Sequence, residues 1–291
     1  LAGRTSSETK HSKPLSGLVR DLGALAIMFG LLLGAYFLPP DTSLHEVRTA
    51  NRLSVCLPRL YPPLVTGDPA NPGFDVDVLG EVASRLGVRL MLNYSSAMGR
   101  DFNPRNWRVT RAQCQILAGG VVLSQSVRSF LDTAPGPLST GWTVLAPQTI
   151  DSLDGRRVAV FSGLTGLDRI GLSRYLRALG SEMHVAQSEE DLARQLREGT
   201  VDAAVTEALS GQQIAAHNDW VAHWLPEPFE RYQLGYGFWR GDVTLLQAVE
   251  GILGDMERDG TMQALLDKYA MEPIEATLSE GIDAIEPDPV D

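Results

Sequence analysis

The chain has 291 residues, enough to bury one large core or two smaller ones. Its 36 acidic side chains outnumber 25 basic ones, and the net charge of −11 argues against nucleic acid as a partner. The charge is uneven: residues 1–21 are net basic, whereas 272–291 hold seven acids and no Lys or Arg and read as a solvated acidic tail.

Residues 22–38, LGALAIMFGLLLGAYFL, carry no charge. At about 1.5 Å per residue a helix of this length nearly spans a hydrocarbon core of roughly 30 Å. A cleaved signal peptide and a retained anchor compete for this segment. No clean small-residue cleavage site and no lipobox cysteine follow it, so a retained, single-pass transmembrane anchor is expected. The basic residues before it place 1–21 in the cytoplasm and everything after Pro39 outside it. The expected location is the bacterial inner membrane, with the bulk of the protein periplasmic.

A linker over 39–51 leads into alternating elements. LSVCL (53–57) reads as a buried strand. DVDVLGEVASRLG (75–87) reads as a helix with Val76, Leu79, Val82, Ala83 and Leu86 on one face and Gly87 at its end. VRLMLNY (88–94) is strand-like, 95–111 irregular or partly helical, and QILAGGVV (115–122) and TGWTVLAP (140–147) are further strands. RVAV (157–160) precedes a helix at 167–180. MHVAQ is a short strand, SEEDLARQLREG (188–199) a capped helix and VDAAVTE (201–207) another strand. YQLGYGFWR (232–240) is a strand whose glycines allow close packing or a hinge, and two helices, 242–260 and 261–270, close the chain. Strands alternating with helices indicate an α/β architecture with parallel sheets. Strand–helix–strand units before about 145 and after about 155 indicate two lobes, 52–147 and 148–232. Residues 233–271 are then expected to return to the first lobe.

The chemistry-bearing residues are sparse. The five histidines are scattered, and there is no HExxH, Cys/His cluster, nucleophile elbow or Walker loop. No metal, cofactor or enzymatic activity is expected. Cys56 and Cys114 lie in or beside apolar runs. An oxidising compartment favours a bridge if the two strands are neighbours; otherwise they are two buried thiols. In AVFSGLTG (159–166) a strand runs into small residues and opens a helix, a geometry that offers backbone N–H groups to an anion. Phe161 and Leu164 intrude on that cradle.

GFDVDVLGEVASRLGV (73–88) resembles the signature of the periplasmic solute-binding proteins for polar amino acids, family 3. LSVCLPRLYPPL (53–64), SLDGRRVAVFSG (152–163), VDAAVTE (201–207) and ERDGTMQALLDKY (257–269) match in the same order. The resemblance implies a two-lobed Venus-flytrap, the type II periplasmic-binding-protein fold, with a ligand held between the lobes. It implies cleft roles for Tyr61, for Glu207 as acceptor of an ammonium, and for Ser162, Gly163 and Thr165 in the glycine–threonine turn. The carboxylate-binding arginine of the family falls on Val127, with Arg128 one residue off, and Leu164 stands at the first threonine position. Losing two or three charge-assisted hydrogen bonds, at roughly 1.5–3 kcal/mol each, weakens amino-acid binding by several powers of ten.

Cys56 and Cys114 resemble the cysteine pair of the solute-binding-like proteins associated with quinoprotein (methanol-type) dehydrogenases, although Gln115 replaces that group's Asp. Three readings follow. The first is a non-catalytic, membrane-anchored accessory subunit of a membrane or periplasmic electron-transfer complex, joined to its partner by helix 22–38 and the lobes. The second is a binding protein delivering a small, polar, amino-acid-like solute to an ABC importer. The third is a cyclohexadienyl-dehydratase-like lyase using Glu207 as acid or base.

Overall fold

The structure, a computed structural model, describes residues 22–30, 41–98, 104–162, 167–226 and 228–271. It divides into two units, Leu1–Asp41 and Thr42–Asp291. In the first, residues 22–30 form helix α1, which exposes Leu22, Leu25, Ile27, Met28 and Phe29. Among the described residues no helix is long and apolar enough to cross a membrane. Residues 31–38 of the expected anchor lie outside the described residues, as do 1–21 and the acidic tail.

The second unit is built on two five-stranded sheets. The first contains β1 (Arg52–Pro58), β2 (Arg89–Ser95), β3 (Ile116–Val122), β4 (Leu131–Thr140) and β10 (Tyr232–Trp239), in the order β2-β1-β3-β10-β4. The second contains β5 (Trp142–Ala146), β6 (Arg157–Phe161), β7 (Glu182–Val185), β8 (Ala203–Glu207) and β9 (Val221–Trp224), in the order β7-β6-β8-β5-β9. The chain therefore crosses between sheets twice, at Gly141 and between β9 and β10. The first crossing lies earlier than the expected boundary at 147, and strand 142–146 belongs to the second sheet. Both sheets are mixed rather than parallel. β10 runs antiparallel to β3 and β4, and β5 antiparallel to β8 and β9, because strands next to a crossing run back towards the other lobe.

β1 is buried on both faces from Leu53 onward, as a central strand covered by helices must be. One cover is α3 (Phe74–Leu86), which turns Val78, Leu79, Val82 and Ala83 inward and stops at Gly87 in the left-handed conformation. The others are α8 (Val243–Arg258) and α9 (Thr261–Lys268). Leu245, Val249, Leu253 and Met256 of α8 recur on one face and are buried in the first-lobe core, so the chain's end returns there as expected. The expected linker 39–51 contains a helix, α2 (Ser43–Ala50). Its Ser43 Oγ accepts the Leu245 N–H at 3.2 Å and meets the Thr244 hydroxyl at 3.1 Å, so α2 supplies the start of α8 with a hydrogen-bond acceptor.

β4 is invisible to a search for apolar alternation because Pro135 and Gly136-Pro137 interrupt it. It occupies an edge of its sheet, the place where a strand tolerates a residue without an N–H. In the second sheet the helices α5 (Arg169–Ala178), α6 (Glu189–Arg197) and α7 (Ala208–Asn218) complete the layers. Asp168 caps α5 through the Gly171 N–H at 2.8 Å, and Ser188 caps α6 through the Asp191 N–H at 3.1 Å.

Cys56 and Cys114 form a disulfide, with Cα atoms 5.6 Å apart. β1 and β3 are neighbours with Cys56 in register with Leu117, which meets the condition for a bridge. The sulfurs sit in a small core with Met98, Trp107, Leu117 and Val127, and the Trp239 indole donates to the Cys114 carbonyl at 2.7 Å. A cross-link between residues 58 positions apart removes about 4 kcal/mol of chain entropy from the unfolded state. Urea unfolding of oxidised and reduced protein is expected to differ by up to about 4 kcal/mol in favour of the oxidised form. Equal midpoints would show that the bridge stabilises nothing.

Candidate functional site

The loop after β1 brings Tyr61 back on itself: its N–H and carbonyl exchange hydrogen bonds with Val65 at 2.8 and 2.9 Å. The ring packs against the Gly119–Gly120 turn at the middle of β3. Gly120 has φ of +86°, and a Cβ there would stand 2.2 Å from the Tyr61 ring, so only glycine admits the tyrosine. Asp75, at the start of α3, holds the same turn. Its Oδ2 accepts the Gly119 N–H at 2.7 Å and the Gly120 N–H at 3.3 Å, and its Oδ1 accepts the Tyr236 hydroxyl at 3.4 Å. Burial pushes the Asp75 carboxyl up to about 6, with these donors pulling the other way.

From the second lobe comes Glu207, the last residue of β8, fully buried. It doubles as the cap of α7: Oε1 accepts the Leu209 N–H at 2.9 Å and Oε2 the Ser210 N–H at 3.0 Å. The Thr140 hydroxyl, at the end of β4, donates to Oε1. The Tyr61 hydroxyl is buried beside the same carboxylate without a hydrogen bond of ordinary geometry, and burial and then the Glu207 charge push the phenol well above its usual range. Burial likewise raises the Glu207 carboxyl, opposed by its donors. The structure thus brings Tyr61, Thr140 and Glu207 together where the chain first crosses between sheets.

Arg128 is not part of this cluster. It lies exposed on the short helix α4 (Gln125–Phe130), where its backbone carbonyl accepts the Arg240 guanidinium at 2.6 Å, while Val127 points into the disulfide core. Ser162 is half-buried just past β6. Gly163 and Thr165 lie outside the described residues, together with Leu164. Among the described residues no group of side chains could hold a metal ion.

No family model matches the chain. The L-cystine-binding protein TcyJ of Escherichia coli is 25% identical over 262 residues, covering 84% of this chain and 92% of that protein. A substrate-binding protein of an ABC uptake transporter from Streptococcus pneumoniae, solved with bound histidine, superposes with a TM-score of 0.58 at 12% identity, over 80% of this chain and 98% of its own. An ancestral amino-acid-binding protein, described as a precursor of cyclohexadienyl dehydratase, does so with a TM-score of 0.58 at 20% identity, over 78% and 99%. In sequence and in fold this chain resembles the family 3 solute-binding proteins.

Glu207 already has both oxygens engaged by its own helix, so a ligand ammonium would have to share the carboxylate and move Tyr61 or Thr140 aside. Thr140 and Asp75 were not among the residues expected to matter. Thr140 sits in an unremarkable LSTG run whose strand the prolines conceal. Asp75 lies within the GFDVD signature, but its turn-holding role needs β3 and β10 beside α3. The glycines of LGYGFW (234–239) do allow close strand packing: a Cβ at Gly235 would stand 2.2 Å from the Ala134 carbonyl oxygen of β4. Trp224 is buried and Trp239 packs on the disulfide core, so both are packing residues.

The raised Asp75 carboxyl has a definite pH signature. Between the unfolded value near 3.8 and about 6 the native state binds more protons than the unfolded chain. Asp75's contribution to stability is therefore complete below about pH 4 and lost as pH rises through 6, a change of about 3 kcal/mol. Measured as a difference from wild type, Asp75→Asn is expected to become relatively more stable by that order between pH 4 and pH 7. A pH-independent difference in unfolding free energy would place the Asp75 carboxyl in the ordinary range.

Proposed function

We propose that this chain is a solute-binding protein that presents a small, amino-acid-like solute to an ABC importer outside the cytoplasm. The observation that carries the reading is the pairing of Tyr61 from the first lobe with Glu207 from the second, at the seam of a doubly crossed, two-sheet fold. A carboxylate at this seam suits an ammonium group, and an aromatic ring beside it suits the ligand's apolar body. The L-cystine-binding relative, aligned over most of its length, supports the same reading.

The disulfide supports an extracytoplasmic site of action, since such bridges persist in oxidising compartments. Exposed apolar side chains on α1 are consistent with tethering by 22–38. The relatives are described as binding proteins, and the accessory-subunit and electron-transfer reading finds no support among them. Arg128 is exposed on α4, and on this reading the ligand's carboxylate is held by backbone N–H groups or by Ser162.

Calorimetry with L-cystine, L-arginine and L-histidine tests this. At least one is expected to bind with a dissociation constant between about 10 μM and 1 mM, weakened by the incomplete carboxylate clamp. Glu207→Gln is expected to weaken that binding at least about tenfold, and Arg128→Ala to change it less than about threefold. The reading fails if folded protein shows no heat with any of these solutes up to about 1 mM. A large loss in Arg128→Ala would instead put the guanidinium in the cleft.

A further inference from the structure

A cavity of about 790 Å³ lies on the flank of the second lobe, between α5 and the chain leading into β10. Among the described cleft candidates, Tyr61, Arg128, Ser162 and Glu207 do not line it. Its size is that of a small-molecule site. We propose that this cavity is a second ligand site, selective for an organic cation carrying an apolar body, such as a substituted ammonium.

The walls supply the aromatic half of the argument. Trp142, Tyr175, Phe229 and Tyr232 line the cavity, and Tyr175 meets Phe229 edge to face with centroids 5.2 Å apart. Ring faces attract cations, by about 0.5–2 kcal/mol each according to how dry the contact is. The rings come from β5, α5, the β9–β10 connection and the first residue of β10, so only the folded chain assembles them.

The rim supplies the charge. Asp154, Asp168 and Glu230 line the same space. None of the three has an ion-pair partner among the described residues: Asp154 accepts the Ser152 hydroxyl at 2.8 Å and Asp168 caps α5. Their fields reach the cavity tyrosines. Burial and then Asp154 raise the Tyr175 phenol, and burial, Glu230 and Asp168 raise that of Tyr232. Among the described residues of the lining, Arg174 is the single cationic side chain, so three carboxylates face one guanidinium there. This imbalance repels anions and favours an added positive charge.

The test is a heteronuclear NMR titration of the full chain with choline as the probe, in parallel with the neutral isostere in which carbon replaces the quaternary nitrogen. Choline is expected to shift resonances of Tyr175, Phe229 and Tyr232 with a dissociation constant below about 1 mM, and the isostere to bind at least about tenfold more weakly. The double variant Phe229→Ala, Glu230→Gln, checked for an unchanged fold by its other resonances, is expected to weaken choline at least about tenfold. Absence of shifts up to about 10 mM choline, equal binding of the isostere, or shifts centred on Gly120 and Glu207 would each overturn the proposal. Because the readout is located on the flank, it fails or succeeds independently of amino-acid binding at the seam.

Discussion

The buried carboxylate of Asp75 ties α3, β3 and β10 together, and the position of Tyr61 depends on it. Gly119 and Gly120 both have positive φ, leaving two backbone N–H groups pointing out of the ladder into the protein interior. Unpaired, each would cost about 1–3 kcal/mol. Asp75 accepts both with one oxygen and Tyr236 with the other, so the turn is satisfied without water. The turn in turn leaves the space that the Tyr61 ring fills. Burying an acid for this purpose costs solvation, which its raised proton affinity records.

The same economy of donors appears at the seam. Glu207 terminates β8, caps α7 and receives the hydroxyl of Thr140 from the strand that leaves the first sheet. One carboxylate thus connects a helix start in one lobe with a crossing strand between lobes. Any movement that opens the seam must part Tyr61 from this carboxylate, while the two helix N–H donors travel with Glu207. The cap holds the carboxylate from its own helix, so the position of the acid does not rely on the first lobe.

The disulfide performs a complementary role on the far side of β3. It fixes β1 to the segment entering β3, beneath Trp239 of β10 and Val127 of α4. Val127, where the resemblance would put an arginine, is part of an apolar core, and Arg128, one step along a short helix, is turned to the surface. A one-residue offset on a helix rotates a side chain by about 100°, enough to move a guanidinium from cleft to solvent.

Local pattern alone determined much of the framework. The apolar stripe of α3, the buried run of β1, the capped α6 and the periodic α8 were legible because each element's burial is written in its own spacing. The two-sheet organisation and the matched order of segments were legible too, and the resemblance named Tyr61 and Glu207 as candidates. What the tertiary structure decided involves partners distant in the chain. The proline-bearing β4 is a strand because an edge position tolerates it, and α2 docks because Ser43 meets α8 two hundred residues later. Asp75, Thr140 and the aromatic cavity of the second lobe acquire their roles only when separate elements converge. Periodicity reports which face of an element is buried; it carries no record of which polar group on another element will meet it.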